Sequence, residues 1–375
     1  MTSSSPEHAA PAPLDGVLVL DTTQSVAGQY AGRLLAMHGA TVVLVEPPGG
    51  TPTRGMAPRE PDGPDSYLFR HLNQGKASVI VDRSRPAHVD LLRDLLDRAD
   101  VLLHDRGAGG PRDDRLIACA IGDFPPGPYE DWRGTEMVHQ ALAGVMNATG
   151  AAGRPPLYGI GHRAAYATGT TAYISVVAAL YERRRSGRGQ QVRATVFESL
   201  AAMGQNLVSQ YSYNGTAECR ARYPGFLAVL QCKDAWVVLF AIRNWPSLCR
   251  VFDHADLIAD PRFATSADRM ANWPAAVGLL QERARTMLAD DIVAGCQAGR
   301  VSAEKVTSLA DLVGSPHWQA RSVLRPAHSA GGTREETALY RIAAYSGADT
   351  GITSAGPKPG ADTDRITALI GQEPR

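Results

Sequence analysis

Tyr158–Gln190 reads YGIGHRAAYATGTTAYISVVAALYERRRSGRGQ. From Ala172 to Tyr181 the residues are small and apolar, with good helix formers toward the C-terminal end. Glu182-Arg183-Arg184-Arg185 then makes a basic turn, and Ser186-Gly187-Arg188-Gly189 stops it. This pattern predicts a buried helix with cations in its last turn and glycine at its C-terminal cap. Gln190–Val196 (QQVRATV) predicts a strand directly after it. Upstream, short strands at Val17–Asp21, Thr41–Glu46, Val79–Val81 and Leu116–Ala120 alternate with helices at roughly Gly28–His38 and at Ala87–Arg98. Such alternation from Val17 to Phe197 predicts an α/β domain, a parallel sheet with helices on its faces. The pattern breaks into polar and glycine residues at Ser212–Arg222, which reads as a linker. From Phe226 to about Leu324 two apolar strands and several helices form a second unit. The tail, Arg341–Ile370, carries a weak strand and a helix at Thr363–Leu369 that returns to the first unit.

At 375 residues the chain exceeds the usual single-domain size, so two domains are expected. Lys+Arg and Asp+Glu are both 38, and that neutral balance argues against a nucleic-acid or membrane-surface partner. No run reaches the ~18 apolar residues of a membrane span. Met1–Pro13 is rich in Ser, Pro and Ala, lacks the features of a signal peptide, and reads as a disordered tail. The five cysteines are scattered and form no C-x-x-C pair, which suggests neither zinc nor disulfides. Reduced thiols in a cytoplasmic protein are the expectation, with no metal site.

Further segments carry a resemblance. They are Pro13–Gly55, Leu72–Ser78 (LNQGKAS), Ala99–Leu103, Gly127-Pro128-Tyr129 and Gln140–Gly150 in the first half. In the second they are Leu227–Leu239, Trp245, Asp260–Phe263 (DPRF), Arg269, Asn272 and Ser315–Arg321. In this order, and with the helix, basic turn, S-G-R-G-Q and strand described above, the chain resembles the family III CoA-transferases. That superfamily includes formyl-CoA and carnitine CoA-transferases and α-methylacyl-CoA racemases. The resemblance implies a Rossmann-like large domain over 14–210, completed by 325–375, and a smaller α+β domain over 225–324. It implies a ring-shaped chain threaded through its partner's ring as an interlocked homodimer. It also implies coenzyme A or an acyl-CoA as substrate, with no covalently bound cofactor.

In the family an Asp opens the quoted helix and forms the acyl anhydride and thioester intermediates. Counted back without gaps from Gly189, that Asp falls on Ala165, and alanine cannot do this chemistry. Between Asp131 and Glu182 the only acid is Glu136. The racemases' His falls on Thr135. The candidate catalytic residues are therefore His162, His139 and Glu136, with Arg163, Tyr158 and Tyr166 as the other ionisable groups nearby. His139 on an apolar helix reads more readily as a hydrogen-bonded core residue than as a site residue, and His162 in its glycine-rich loop reads equally as solvent-exposed or site-lining. The family's E-N-F-x-P-G loop appears as His104–Gly109, with Asp105 in it. The Pro47–Gly50 loop, where relatives carry an Arg, has no base until Arg54. Arg54, Lys76 and Arg133 are the candidate phosphate partners, and Val26-Ala27-Gly28 approaches a helix N-terminus suited to an anion. The expected function is a divergent acyl-CoA-handling protein repurposed for proton transfer, isomerisation, elimination or cyclisation. The alternatives are a non-catalytic subunit paired with an Asp-containing paralogue, or a ligand-binding pseudoenzyme.

Overall fold

The computed structural model describes residues 11–59, 61, 63, 65–105, 114–151, 153–216, 227–241, 243–328, 335–339, 342–348, 350–352 and 354–371. The tail over 1–10, most of the expected linker, Cys219 and the loop after Asp105 lie outside them. Two compact units divide the chain. Met1–Gly150, Arg154–Ala217 and His317–Arg375 form one, and Ala151–Gly153 with Glu218–Pro316 form the other. The divisions fall at 218 and 317, against the expected 225 and 325.

In the first unit the chain runs β1 (Leu18–Asp21), α1 (Val26–Met37), β2 (Thr41–Glu46), α2 (Tyr67–Asn73), β3 (Ala77–Ile80), α3 (Pro86–Arg98), β4 (Val101–Asp105) and β5 (Ile117–Gly122). It continues through α4 (Glu136–Leu142), α5 (Val145–Ala148), α6 (Arg163–Ser186), β6 (Gln191–Thr195), α7 (Val196–Met203) and α8 (Gln205–Asn214). The six strands form one sheet in the order β3-β2-β1-β4-β5-β6, every pair parallel. Their apolar runs follow from burial on both faces, since helices cover each side. One face packs on α1 and α6 through Val19, Val42, Leu103, Ile117, Ala31, Leu35, Ala172 and Val176. The other packs on α3 and the tail helix Thr363–Gly371 through Leu95, Ile366 and Ile370. The strand order reverses between β1 and β4, and the crevice at the carboxyl ends of such a pair is where this architecture receives ligands.

α6 begins at Arg163, well before the apolar stretch that announces it. Three threonines in its first half, Thr168, Thr170 and Thr171, return their hydroxyls to carbonyls one turn back. It ends with Gly187 at φ 73, whose N–H reaches the Arg183 carbonyl. Gly169 meets α1 so closely that a Cβ there would lie 2.6 Å from the Ala27 carbonyl oxygen. An antiparallel hairpin, Leu324–His328 with Glu335–Leu339, also belongs to this unit.

The second unit holds a three-stranded antiparallel sheet, Leu227–Gln231, Trp236–Phe240 and Ser302–Lys305. The first two strands alternate buried and exposed residues, so a single face meets the helices that follow. The third, Ser-Ala-Glu-Lys, is a short polar edge that the apolar pattern could not announce.

Candidate functional site

β1 and β4 deliver two carboxylates to the carboxyl edge of the sheet. Asp21 accepts from the Thr23 N–H at 3.1 Å and its hydroxyl at 2.6 Å, which turns the chain out of β1. Asp105 accepts from the Gln24 N–H at 2.7 Å. Ser25 then caps α1, its hydroxyl accepting from the Gly28 N–H at 3.2 Å. A side chain at Gly28 would strike Thr23, so the close turn requires glycine. Val26, Ala27, Gly28 and Asp105 are thereby brought together at the topological switch point. Burial pushes the Asp105 carboxyl above its usual range, opposed by the Gln24 N–H and the Ser25 hydroxyl.

Arg54 and Lys76 have internal partners instead. Arg54 is buried, bonds Glu46 through Nε at 2.7 Å and Asp65 through Nη1 at 2.6 Å, and lies 3.7 Å over the Phe69 ring. The carboxylates outweigh burial and hold its pKa above the usual value. Lys76 is fully buried at its ammonium. It donates to Asp21 at 2.8 Å, to the Gln29 carbonyl at 2.7 Å and to Asn73 at 2.9 Å, which uses all three of its donors. Burial lowers its pKa against the pull of Asp21. A phosphate would have to break these pairs, and removing one partner of a buried pair is strongly unfavourable. Arg133 is exposed, and its charge helps hold the Asp123 carboxyl.

The start of α6 is the other focus. The acid at its first turn comes from 28 residues upstream. Glu136, at the head of α4, accepts from the Ala164 N–H at 2.7 Å through Oε1, and its Oε2 lies 3.4 Å from the Ala165 nitrogen. Gln140, one turn along α4, donates to Glu136 at 2.8 Å and clamps Gly159, donating to its carbonyl at 2.9 Å and accepting from its N–H at 2.8 Å. A carboxylate on the first N–H groups of a 24-residue helix is favoured by both hydrogen bonding and the helix dipole. Ala165 is half-buried and packs against the core that α1 and α6 form with the sheet.

His162 stands at the helix cap without a capping bond, half-buried, its ring 6.2 Å from that of Tyr166. Tyr166 packs 4.6 Å from Tyr30 and edge-on to His71 at 6.2 Å. Beneath them Arg33 is completely buried and bonds the His71 carbonyl oxygen and, at 2.7 Å, Gln74. Burial lowers the Arg33 pKa to about 10, with both phenols opposing that shift. Burial, aided by Arg33, lowers that of His71 to about 4.

His139 has the core role that an apolar helix suggests. It is buried beside Phe124 at 5.2 Å, and its Nε2 lies 3.3 Å from Asp123. Burial pushes Asp123 up, but His139 and the Gly134 N–H outweigh it and hold the carboxyl low. Of the three catalytic candidates, Glu136 and His162 meet at the start of α6 and His139 does not join them. Gln140 and Tyr30 were not singled out from sequence; the i, i+4 spacing of Glu136 and Gln140 was the available signal. Among the described residues no group of three or more His, Cys, Asp or Glu could hold a metal ion.

The model of CoA-transferase family III matches residues 14–363. The succinyl-CoA:mesaconate CoA-transferase of Haloarcula hispanica is 29% identical, covering 92% of each chain. The succinate–glutarate CoA-transferase of Agrobacterium fabrum is 28% identical, over 83% of this chain and 84% of its own. A crystal structure of a CAIB/BAIF family protein from Brucella suis superposes with a TM-score of 0.88 at 27% identity, covering 96% of this chain and all of that one.

Proposed function

The chain belongs to CoA-transferase family III, and from that premise we propose that it binds an acyl-CoA at the start of α6 and moves a proton on the acyl group without a covalent acyl-enzyme. One observation carries this reading. The ungapped count from Gly189 puts Ala165 where the family's nucleophile would stand, and the carboxylate beside it, Glu136, is held by the Ala164 N–H. A hydrogen α to a thioester is acidic enough for a positioned carboxylate to remove. Of the Glu136 oxygens, Oε1 is fixed by Ala164 and Gln140, while among the described residues Oε2 makes only the long contact to Ala165. Oε2 is therefore the base, and His162 at the cap is the second proton carrier. The fate of the resulting enolate makes the outcome isomerisation, elimination or cyclisation.

The coenzyme A portion extends toward the switch point, where Val26, Ala27, Gly28 and Asp105 meet, with Arg133 exposed for a phosphate. No covalently bound cofactor takes part. The partner is a second copy of the chain in an interlocked homodimer, in the cytoplasm. No helix among the described residues is long and apolar enough to cross a membrane.

The test is incubation with a panel of acyl-CoAs in D₂O, read by mass spectrometry. Deuterium should enter the acyl group, and Glu136→Gln or His162→Ala should slow its entry by about 10²–10⁴-fold. Hydroxylamine should release no acyl group from the protein. A hydroxylamine-sensitive carboxylate adduct would replace this reading with ordinary CoA transfer, and binding without exchange would favour a non-catalytic subunit.

A further inference from the structure

Removing an α-proton leaves negative charge on the thioester oxygen, and the base that took the proton cannot stabilise it. In acyl chemistry the charge is met by preorganised donors. Backbone N–H groups at a helix start would serve, but those of Ala164 and Ala165 already face Glu136. Another donor has to stand nearby, on the side of the carboxylate away from its own anchors.

Tyr166 fits that requirement. It follows Ala165 directly, is half-buried, and is fixed by its ring contacts with Tyr30 and His71. The residue before it, Ala165, has its nitrogen 3.4 Å from Glu136 Oε2, and the Arg33 guanidinium and the Glu136 carboxylate both act electrostatically on the phenol. Burial and Tyr30 keep the phenol above its ordinary pKa, so near neutral pH it retains the proton that a donor must have. Arg33 cannot swing out to bind substrate itself. It is 0% exposed and tethered to the His71 carbonyl and Gln74. Its fixed positive charge can act through the phenol, in surroundings where charges are poorly screened.

Resting on the proton-transfer reading above, we infer that the Tyr166 hydroxyl donates a hydrogen bond to the acyl-CoA carbonyl oxygen as Glu136 removes the α-proton. The C–H electron pair passes into the C=C bond of the enolate, the carbonyl π pair moves onto oxygen, and the proton rests on Glu136 Oε2. Tyr166 is then a catalytic residue, and Arg33 a positioning residue that acts through it.

Tyr166→Phe removes one hydroxyl and keeps the ring contacts. It should cut the deuterium-exchange rate by about 10²–10³-fold, the usual effect of losing one such donor, and raise KM by no more than about tenfold, the share of one ground-state hydrogen bond. Tyr181→Phe, on the exposed face of the last turns of α6, removes a hydroxyl remote from the site and should leave the rate near wild type. Binding gives a second readout. Wild type should prefer an acyl-CoA thioester over the thioether analogue without the carbonyl by about tenfold, the equivalent of one hydrogen bond, and Tyr166→Phe should lose that preference. If wild type exchanges and Tyr166→Phe exchanges equally fast, this inference falls while the proton-transfer reading stands. If wild type binds acyl-CoA and no exchange occurs, both fall.

Discussion

A carboxylate introduced at position 165 would stand beside Glu136, whose Oε2 is 3.4 Å from the Ala165 nitrogen. Two acids that close do not ionise independently; one is pushed up and the pair titrates together. Ala165→Asp should nonetheless restore the family's covalent step. After incubation with an acyl-CoA, a hydroxylamine-sensitive acyl mass should appear on the introduced Asp, with none on wild type. An absent adduct in a folded, acyl-CoA-binding variant would mean that the surroundings of position 165 have diverged as well. The place of residue 165 in the first turn of α6 was legible from sequence because the helix runs unbroken from Arg163 to Ser186, just short of the Gly189 from which it is counted. The roles of Arg54 and Lys76 were not. A lone cation invites a ligand, and nothing in a linear pattern shows that Glu46 and Asp65 close on the first while Asp21, 55 residues away, closes on the second. Glu136 was legible as the only acid between Asp131 and Glu182, but its bond to Ala164 depends on how α4 meets α6.

At the scale of elements, the contact between α1 and α6 sets the whole site, since Tyr30 comes from one and Tyr166 from the other. At Gly169 the two helices pass close to each other. A methyl there would lie 2.6 Å from the Ala27 carbonyl oxygen and 2.9 Å from the Tyr30 ring, so the helices must part. Gly169→Ala should destabilise the protein by about 1–3 kcal/mol, the common cost of overpacking, and lower the melting temperature in a thermal scan. An unchanged melting temperature would show that the two helices do not approach this closely. The first-unit elements that the sequence announces, β1, α1, β2, β3, α3, β5 and β6, fall within a few residues of their expected bounds because their apolar periods are clean, whereas α2, α5, α7, α8 and the hairpin of Leu324–His328 with Glu335–Leu339 carry no such signal. The first turns of α6 were not legible either, since Gly and Thr are weak helix formers and their stability comes from packing and from Glu136. Ser302–Lys305 was missed for the opposite reason: an edge strand needs no apolar residues at all.

The whole molecule leaves large apolar side chains in water when taken as a single chain. Tyr213 on α8 is 92% exposed and Met203 on α7 is 69% exposed, with Val208 and Tyr211 nearby in the same stretch. Clustered exposure of this kind marks an interaction surface. Light scattering at micromolar concentration should therefore give twice the 39.9 kDa chain mass, and a stable monomer would count against the interlocked dimer. Strand-helix alternation made the parallel sheet legible in advance. It could not supply the strand order, because contacts between β1 and β4 join residues some 80 positions apart. The buried ion pairs of the first unit have one more consequence. Dissolved salt weakens an attraction by gathering counter-ions around it, over a Debye length of about 8 Å at physiological ionic strength. Arg93 and Asp90, 57% and 62% exposed at their side chains, stand open to that atmosphere. Lys76 and Asp21 are 0% exposed, and no counter-ion can come between them. The frame that carries the site should thus be indifferent to ionic strength, while the charges on its outside fade as salt is added.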